Sequence, residues 1–303
     1  AEGPEEALAA ELRPLLAGGE ALPALRALAR ACALTEARRP AGPARARAWS
    51  SDAARQAAVK AMERAVVLAF GECGGQLERL LGLLLQGSSA TSLMVKCGPQ
   101  LGTPVLPMKA VRLADGDGVE AALHKASGSD LLLEKEYVGA RVQVHKQGQS
   151  ISIFDASRCD IAASLGDWFV EWLLESLRDA QDCVLDGVLQ REGVERFVAF
   201  DCLLLAGKPL ARLPLRERRA ALERAVRPSE VLMLGTAQEF PQEAPPDEDA
   251  VCSFLRRSGC SRGQGVLLKR LEGAYEAGQA SPGWLSLAPQ ARETCQRWRA
   301  CAA

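Results

Sequence analysis

The chain has 303 residues, 48% hydrophobic and 25% charged, with a formal net charge of −1. That is enough chain, and enough apolar content, for two domains with a sizeable core. The absence of a basic excess argues against a protein built mainly to grip nucleic acid, a local basic patch apart, and no apolar run is long enough to cross a bilayer.

Residues 4–86 read as helical. PEEALAAELRPLLAGG opens with Pro4 and two acids and ends at Gly18-Gly19, a start-and-stop pattern for a helix. ALPALRALARACALTEA follows with apolar residues near the helical period. TEARRPAGPARARAWSS then breaks the pattern with Pro40, Gly42 and Pro43, and reads as a connector over 36–50 carrying Arg38, Arg39, Arg45 and Arg47. A further helix is expected from Ser50 or Ser51, with Asp52 in its first turn. GQLERLLGLLLQG, ending at Gly87, reads as another helix, apolar on nearly every side and so assigned to the core.

From about residue 100 the texture changes. LGTPVLPMKAV looks like an extended connection. Strands are expected near 131–136, 141–147, 150–154, 183–189, 196–205, 230–234 and 265–271, and helices at 117–126, 164–180, 214–226 and 247–258. RVQVHKQ alternates apolar and polar residues, which suits a half-buried antiparallel strand. Strands joined by short turns, with helices inserted later, point to an α+β fold of mainly antiparallel sheets.

Ten cysteines are scattered singly and the two histidines, His124 and His145, have no metal-ligand spacing, so no metal site is expected. Cys183 and Cys202, among apolar neighbours, read as core residues in a reducing compartment. The chain starts at Ala1 without Met, which fits removal of a leader and an organellar home.

Four segments, in order, resemble ATP-dependent DNA ligases, most closely the eukaryotic type-three branch. TPVLPMKA at 103–110 resembles the segment leading into that family's nucleotidyltransferase domain. EKEYVGARVQVHK at 134–146 resembles the adenylation motif Glu-x-Lys-Tyr-Asp-Gly-x-Arg. FVAFDCLLLAGKPLARLPLRERRAAL at 197–222 and QGVLLKRLEGAYEAG at 264–278 resemble later family motifs. The resemblance implies a ligase-type nucleotidyltransferase (adenylation) domain over 100–288, preceded by an α-helical region over 1–99 and followed by a tail over 289–303, with no OB-fold domain.

The resemblance also implies where chemistry should sit. The family's lysine, which attacks the ATP α-phosphate, falls on Glu136, and a carboxylate cannot form the lysyl adduct. Lys135 is one residue away, and in a strand that turns it to the opposite face unless a bulge intervenes. The motif aspartate falls on Val138, a metal-supporting glutamate on Val188, the fourth motif's glutamate on Gln264, and two phosphate-binding lysines on Ser286 and Ala288. Glu134, Arg141 and Lys269 remain as a residual nucleotide pocket; Tyr137, Gly139, Asp201 and Tyr275 also match the family's motifs, and the surviving positions are mostly of fold-forming type.

Other readings of these residues are blander. Lys269 reads as a solvated lysine at a strand end, Arg141 as the partner of Glu134 or Glu136, and His145 as a surface or partner-facing residue. Trp168 and Trp172, at i and i+4, read as a core or docking stripe.

The expectation is therefore a ligase-like chain that is not an enzyme, has no cofactor and no metal, and serves as a docking subunit among other protein subunits of a larger assembly. Two alternatives stay open: a nucleic-acid-binding accessory protein using the arginines at 38–47, and a divergent ligase using Lys135.

Overall fold

The computed structural model describes residues 10, 14, 21–37, 51–113, 119–191, 193–259 and 265–287. The chain divides into two compact units, residues 1–98 and 99–303.

The first unit is helical. Its described helices are α1 (Ala21–Ala37), α2 (Asp52–Glu72), α3 (Leu77–Leu85) and α4 (Ala90–Lys96). Ser51 caps α2, its hydroxyl accepting from the backbone N–H of Ala54, which satisfies one of the donors a helix start leaves free. Leu25, Ala29 and Ala33 of α1 bury against Met62, Val66 and Ala69 of α2, where small side chains let the axes approach. The segment 77–85 departs from the all-round apolar reading. Leu77, Leu80, Leu81 and Leu84 are buried at helical spacing, while Leu85 is half exposed. The helix expected at 4–18 and the connector with Arg38, Arg39, Arg45 and Arg47 lie outside the described residues.

The second unit is α+β. Its elements are β1 (Lys109–Arg112), α5 (Val119–Ala126), β2 (Leu131–Lys135), β3 (Ala140–Gln147), β4 (Ser150–Phe154), α6 (Asp167–Ser176), β5 (Cys183–Gln190), β6 (Arg196–Leu205), β7 (Lys208–Pro209), α7 (Leu215–Ala225), β8 (Leu232–Leu234), β9 (Ala237–Phe240), α8 (Glu248–Arg257), β10 (Val266–Arg270) and β11 (Ala280–Leu287). Two sheets form. One has the order β1-β11-β10-β2-β9; the other has the order β4-β3-β5-β6-β7, with β8 pairing β6. All pairings are antiparallel except β1 with β11 and β6 with β8.

Alternation along β2 divides its side chains between two faces. Leu131 and Leu133 pack with Val251 and Leu255 of α8 in one core. Leu132 packs instead with Leu215 and Leu271. The register against β10 and β9 runs through β2 without a shift, so no bulge re-aims its side chains.

His145 is not a surface residue. It is 3% exposed on β3, its Nδ1 accepts from the backbone N–H of Gly102 at 3.1 Å, and its ring meets Phe154 edge-on. The connector over 101–108 lies along β3, where polar side chains meet its backbone: Gln143 both donates to and accepts from Val105. That packing is a long-range contact and overrides the half-solvated strand that alternation suggested.

Candidate functional site

The face of β2 opposite α8 carries Glu134, and the following Glu136 lies on the same side. Glu134 is 1% exposed and holds two cations: Lys269 of β10 on one carboxylate oxygen and Arg219 of α7 on the other, the latter at 3.0 Å. Lys269 is fully buried, not solvated. Its Nζ lies 4.0 Å from the Trp284 ring and 4.6 Å from the Phe200 ring, so two aromatic faces replace the water it loses. Burial lowers its pKa, and Glu134 works in the opposite direction.

A second buried knot adjoins the first. Arg141 of β3 binds Asp186 of β5 through two bonds of 2.7 and 2.5 Å, and its guanidinium stacks 4.5 Å from Phe200. The expected partners, Glu134 and Glu136, are not its partners; antiparallel pairing places Asp186 opposite Gln143, close to Arg141. Burial is the largest single influence and would lower the Arg141 pKa, but the charge and hydrogen bonds of Asp186, with Tyr275, together outweigh it and raise it. Tyr275 donates to Asp186 at 2.6 Å and accepts from the Met108 backbone N–H at 2.9 Å. Arg218 of α7, also fully buried, binds Asp201 of β6 at 2.8 and 3.0 Å. The consecutive arginines of LRERRAAL thus neutralise two buried carboxylates, Asp201 and Glu134. Such groups are tolerated inside only when paired and hydrogen-bonded.

Glu136 sits at the margin of this buried cluster of charges. Ser286 of β11 donates to its carboxylate at 3.4 Å, and its backbone N–H donates to Gly265. Burial raises the Glu136 pKa, with Ser286 and the nearby Arg112 charge pulling it back down. Lys135 faces the other way. Its Nζ donates to the backbone carbonyls of Ser258 and Gly259, at 3.0 Å each, just beyond α8.

The remaining sequence-predicted positions scatter. Val138 is 60% exposed, and Val188 packs in the core with Phe200, Tyr275 and Trp284. Gln264 and Ala288 lie outside the described residues. Gly139 turns the chain from β2 into β3 at φ +152°, and a Cβ there would stand 2.4 Å from the Leu189 carbonyl oxygen, so only glycine fits. Asp186, Arg218, Arg219, Phe200 and Trp284 were not singled out from the sequence. The adjacent Arg218-Arg219 pair within a helix that also carries buried leucines was the available signal. Among the described residues, no group of three or more His, Cys, Asp or Glu side chains is placed to hold a metal ion.

Residues 188–287 match the family model described as ATP dependent DNA ligase domain. The chain is 34% identical over 217 residues to a probable DNA ligase of Anaeromyxobacter dehalogenans, covering 62% of this chain and 39% of that protein. It is 28% identical over 218 residues to a DNA ligase of Thermococcus onnurineus, covering 63% and 37%. The ligase domain of Mycobacterium tuberculosis LigD aligns at 23% identity with a TM-score of 0.46, over 60% of this chain and 58% of that one. The chain thus spans well under half the length of these curated relatives.

These relatives correct one expectation. Glu136 led to the reading of a chain that is not an enzyme; the proteins it matches are named DNA ligases, which are enzymes. Residue 136 decides only whether an amine is present at one position. It does not decide whether the rest of the cleft works on a substrate.

Proposed function

We propose that this chain, which belongs to the ATP-dependent DNA ligase family, carries the cleft of a DNA-joining enzyme that acts on ends already activated by an adenylyl group. The observation that carries the reading is the pair of orientations at 135 and 136. The carboxylate of Glu136 is on the cleft side, and the amine of Lys135 is held on the far face by Ser258 and Gly259.

The family's name implies ATP, and covalent capture of its adenylyl group on the protein needs an amine at the cleft. The residues here do not fit that group, because the side chain on the cleft side at 136 is a carboxylate, which cannot form the phosphoramidate, and the Lys135 amine is held on the other face. No step is therefore assigned to a protein-bound adenylyl group.

A carboxylate does fit the joining step. A 3′-hydroxyl must lose a proton as its oxygen bonds to the activated 5′-phosphorus, while the phosphorus–oxygen bond to AMP breaks and its electron pair leaves with AMP. Glu136, with its pKa raised by burial, is suited to take that proton as a general base.

The test uses two nicked duplexes, one with a pre-adenylylated 5′ end and one with a 5′-phosphate plus ATP and Mg²⁺. The first is expected to be sealed and the second not. A radiolabelled protein formed from labelled ATP, or failure to seal the pre-adenylylated nick, overturns the reading.

A second reading, docking to other protein subunits, is favoured by α6. Trp168 and Trp172 are 45% and 55% exposed, not core, and stand one turn apart. Replacing both with serine is expected to release any subunit that co-purifies with the chain, and retention of that subunit counts against the docking role.

A further inference from the structure

α6 buries only one of its faces. Phe169, Leu173 and Ser176 are buried, and the first two pack with Val144, Ile153 and Leu185 of the β4-β3-β5-β6-β7 sheet. The opposite face is in solvent and carries two stripes. Asp167 and Glu171 form one, Trp168 and Trp172 the other, and the members of each pair are four residues apart. All four side chains are exposed. Tryptophan is highly buried on average, and apolar surface left together in solvent marks a place that meets a partner. Trp168 meets Phe169 edge-on with centroids 5.6 Å apart, which ties the exposed ring to the core beneath it.

The acids on and just after this helix divide into two sets. Glu175 is tied to Arg178 and Asp179 to Arg227. Among the described residues, no cation pairs with Asp167 or Glu171. Asp167 lies in the first turn, where it complements the partial positive charge of the helix start. Glu171 lies beyond that turn, where this effect has fallen away. The open carboxylates therefore stand beside the open indoles, turn for turn.

We propose that this face of α6 is an interaction surface for an extended, arginine-bearing segment of a partner protein, with its arginines two residues apart. The proposal rests on the docking reading of α6 given above and names the partner's chemistry. Residues four apart on a helix are separated by about 6 Å along its axis. Alternate residues of an extended strand point to one side and are separated by about 6.6 Å. Two arginines in an Arg-x-Arg spacing therefore reach both turns of α6 at once. Each guanidinium stacks on an indole and donates to the carboxylate beside it. Lysine brings the charge without the flat stacking group. A purely apolar partner would cover Asp167 and Glu171 without a counter-charge, which is costly. An acidic partner would be repelled by them.

The full chain is titrated calorimetrically with three short peptides, which carry arginine, lysine or glutamate at three alternate positions. The arginine peptide is expected to bind, the lysine peptide to bind more weakly, and the glutamate peptide not to bind. Asp167→Asn combined with Glu171→Gln should weaken the arginine peptide about 2–30-fold, the worth of two exposed ion pairs, and flatten its salt dependence. Trp168→Ser combined with Trp172→Ser should weaken it about 5–30-fold while leaving the salt dependence in place. All four positions are exposed, so the variants keep the core that folds α6. An arginine peptide that does not bind, or that binds both double variants as well as the unaltered chain, overturns the proposal. If the tryptophan variant releases a co-purifying subunit while the arginine peptide fails to bind, the docking role stands and the basic partner is wrong. If that subunit is retained and the peptide also fails, both are rejected. This chain carries the same spacing at Arg45 and Arg47 and at Arg297 and Arg299. Replacing these four arginines with serine is expected to leave the peptide affinity unchanged. A rise in affinity would mean that the chain itself, or a second copy, occupies the face, and would overturn the assignment to a partner protein.

Discussion

Arg141 closes on Asp186 with two parallel bonds, and Tyr275 adds a third to the same carboxylate. Asp186 is fully buried, so its charge is matched entirely by these donors. Through Tyr275 the knot reaches Met108, and through Arg141 it reaches the ring of Phe200. The connector, the two sheets and the candidate cleft are therefore fixed to one another by one carboxylate.

Replacing Arg141 with methionine keeps the bulk of the stem but leaves Asp186 with Tyr275 alone. Breaking a buried pair by removing one partner costs about 3–5 kcal/mol, because the other charge stays buried. Asp186→Asn, which removes charge from the acceptor side, should cost less than the loss seen in Arg141→Met. Urea unfolding of both variants measures the order. Equal small losses would mean that water reaches this carboxylate in solution.

His145 gives a pH signature. Burial lowers its pKa to about 4 in the folded chain, with the Asp160 charge acting the other way. Its unfolded value is near ~6.5. The unfolded chain therefore binds the proton first as pH falls, and stability present above pH ~6.5 is lost toward pH 4. The full shift corresponds to about 3 kcal/mol. His145→Gln should flatten this part of the stability curve. An unchanged slope between pH 7 and 4 in that variant would assign the loss to other groups.

Much of the fold was legible because the signals were local. RVQVHKQ and FVAFDCLLL read as strands from β-branched and apolar content, and β3 and β6 lie there. β11 was missed because ASPGWLSL contains Pro282 and Gly283, which read as a turn. β9, AQEF, is too short and too polar to show a period. The site was less legible, because its pairs are distant in the chain. Lys269 reads as a solvated residue until Glu134, far earlier in the sequence, is placed against it. Arg218 was not singled out, because its partner Asp201 lies on a different element. Motif resemblance located Glu134, Arg141 and Lys269, but their partners came from sheet register and from α7.

Gly139 tests how the cleft margin is held. Its φ of +152° is costly for a residue with a side chain, and a Cβ would overlap both the Leu189 carbonyl and the Val188 side chain. Gly139→Ala should destabilise the second unit by about 1–3 kcal/mol, from overpacking and backbone strain together. Loss of joining should exceed what the loss of stability explains, because residue 139 sets the path from Glu136 to Arg141. Full joining activity in the folded fraction of Gly139→Ala would show that this turn does not position Glu136.

The Glu136 carboxylate, finally, fixes the pH dependence of joining. A general base works only when deprotonated, so single-turnover sealing of a pre-adenylylated nick should rise with pH through the Glu136 midpoint and then level. Burial places that midpoint above the usual glutamate value of about 4.3. The hydrogen bond from Ser286 and the Arg112 charge both hold it down. Ser286→Ala and Arg112→Gln should therefore each move the acid limb to higher pH while leaving the plateau near its original height. Glu136→Gln should remove that limb and lower the plateau by ~10²–10⁴-fold, the range typical of a lost general base. The three variants separate a proton-transfer role from a packing role, since a packing defect lowers the plateau without moving the limb. An acid limb that persists unchanged in Glu136→Gln would assign the base to another group.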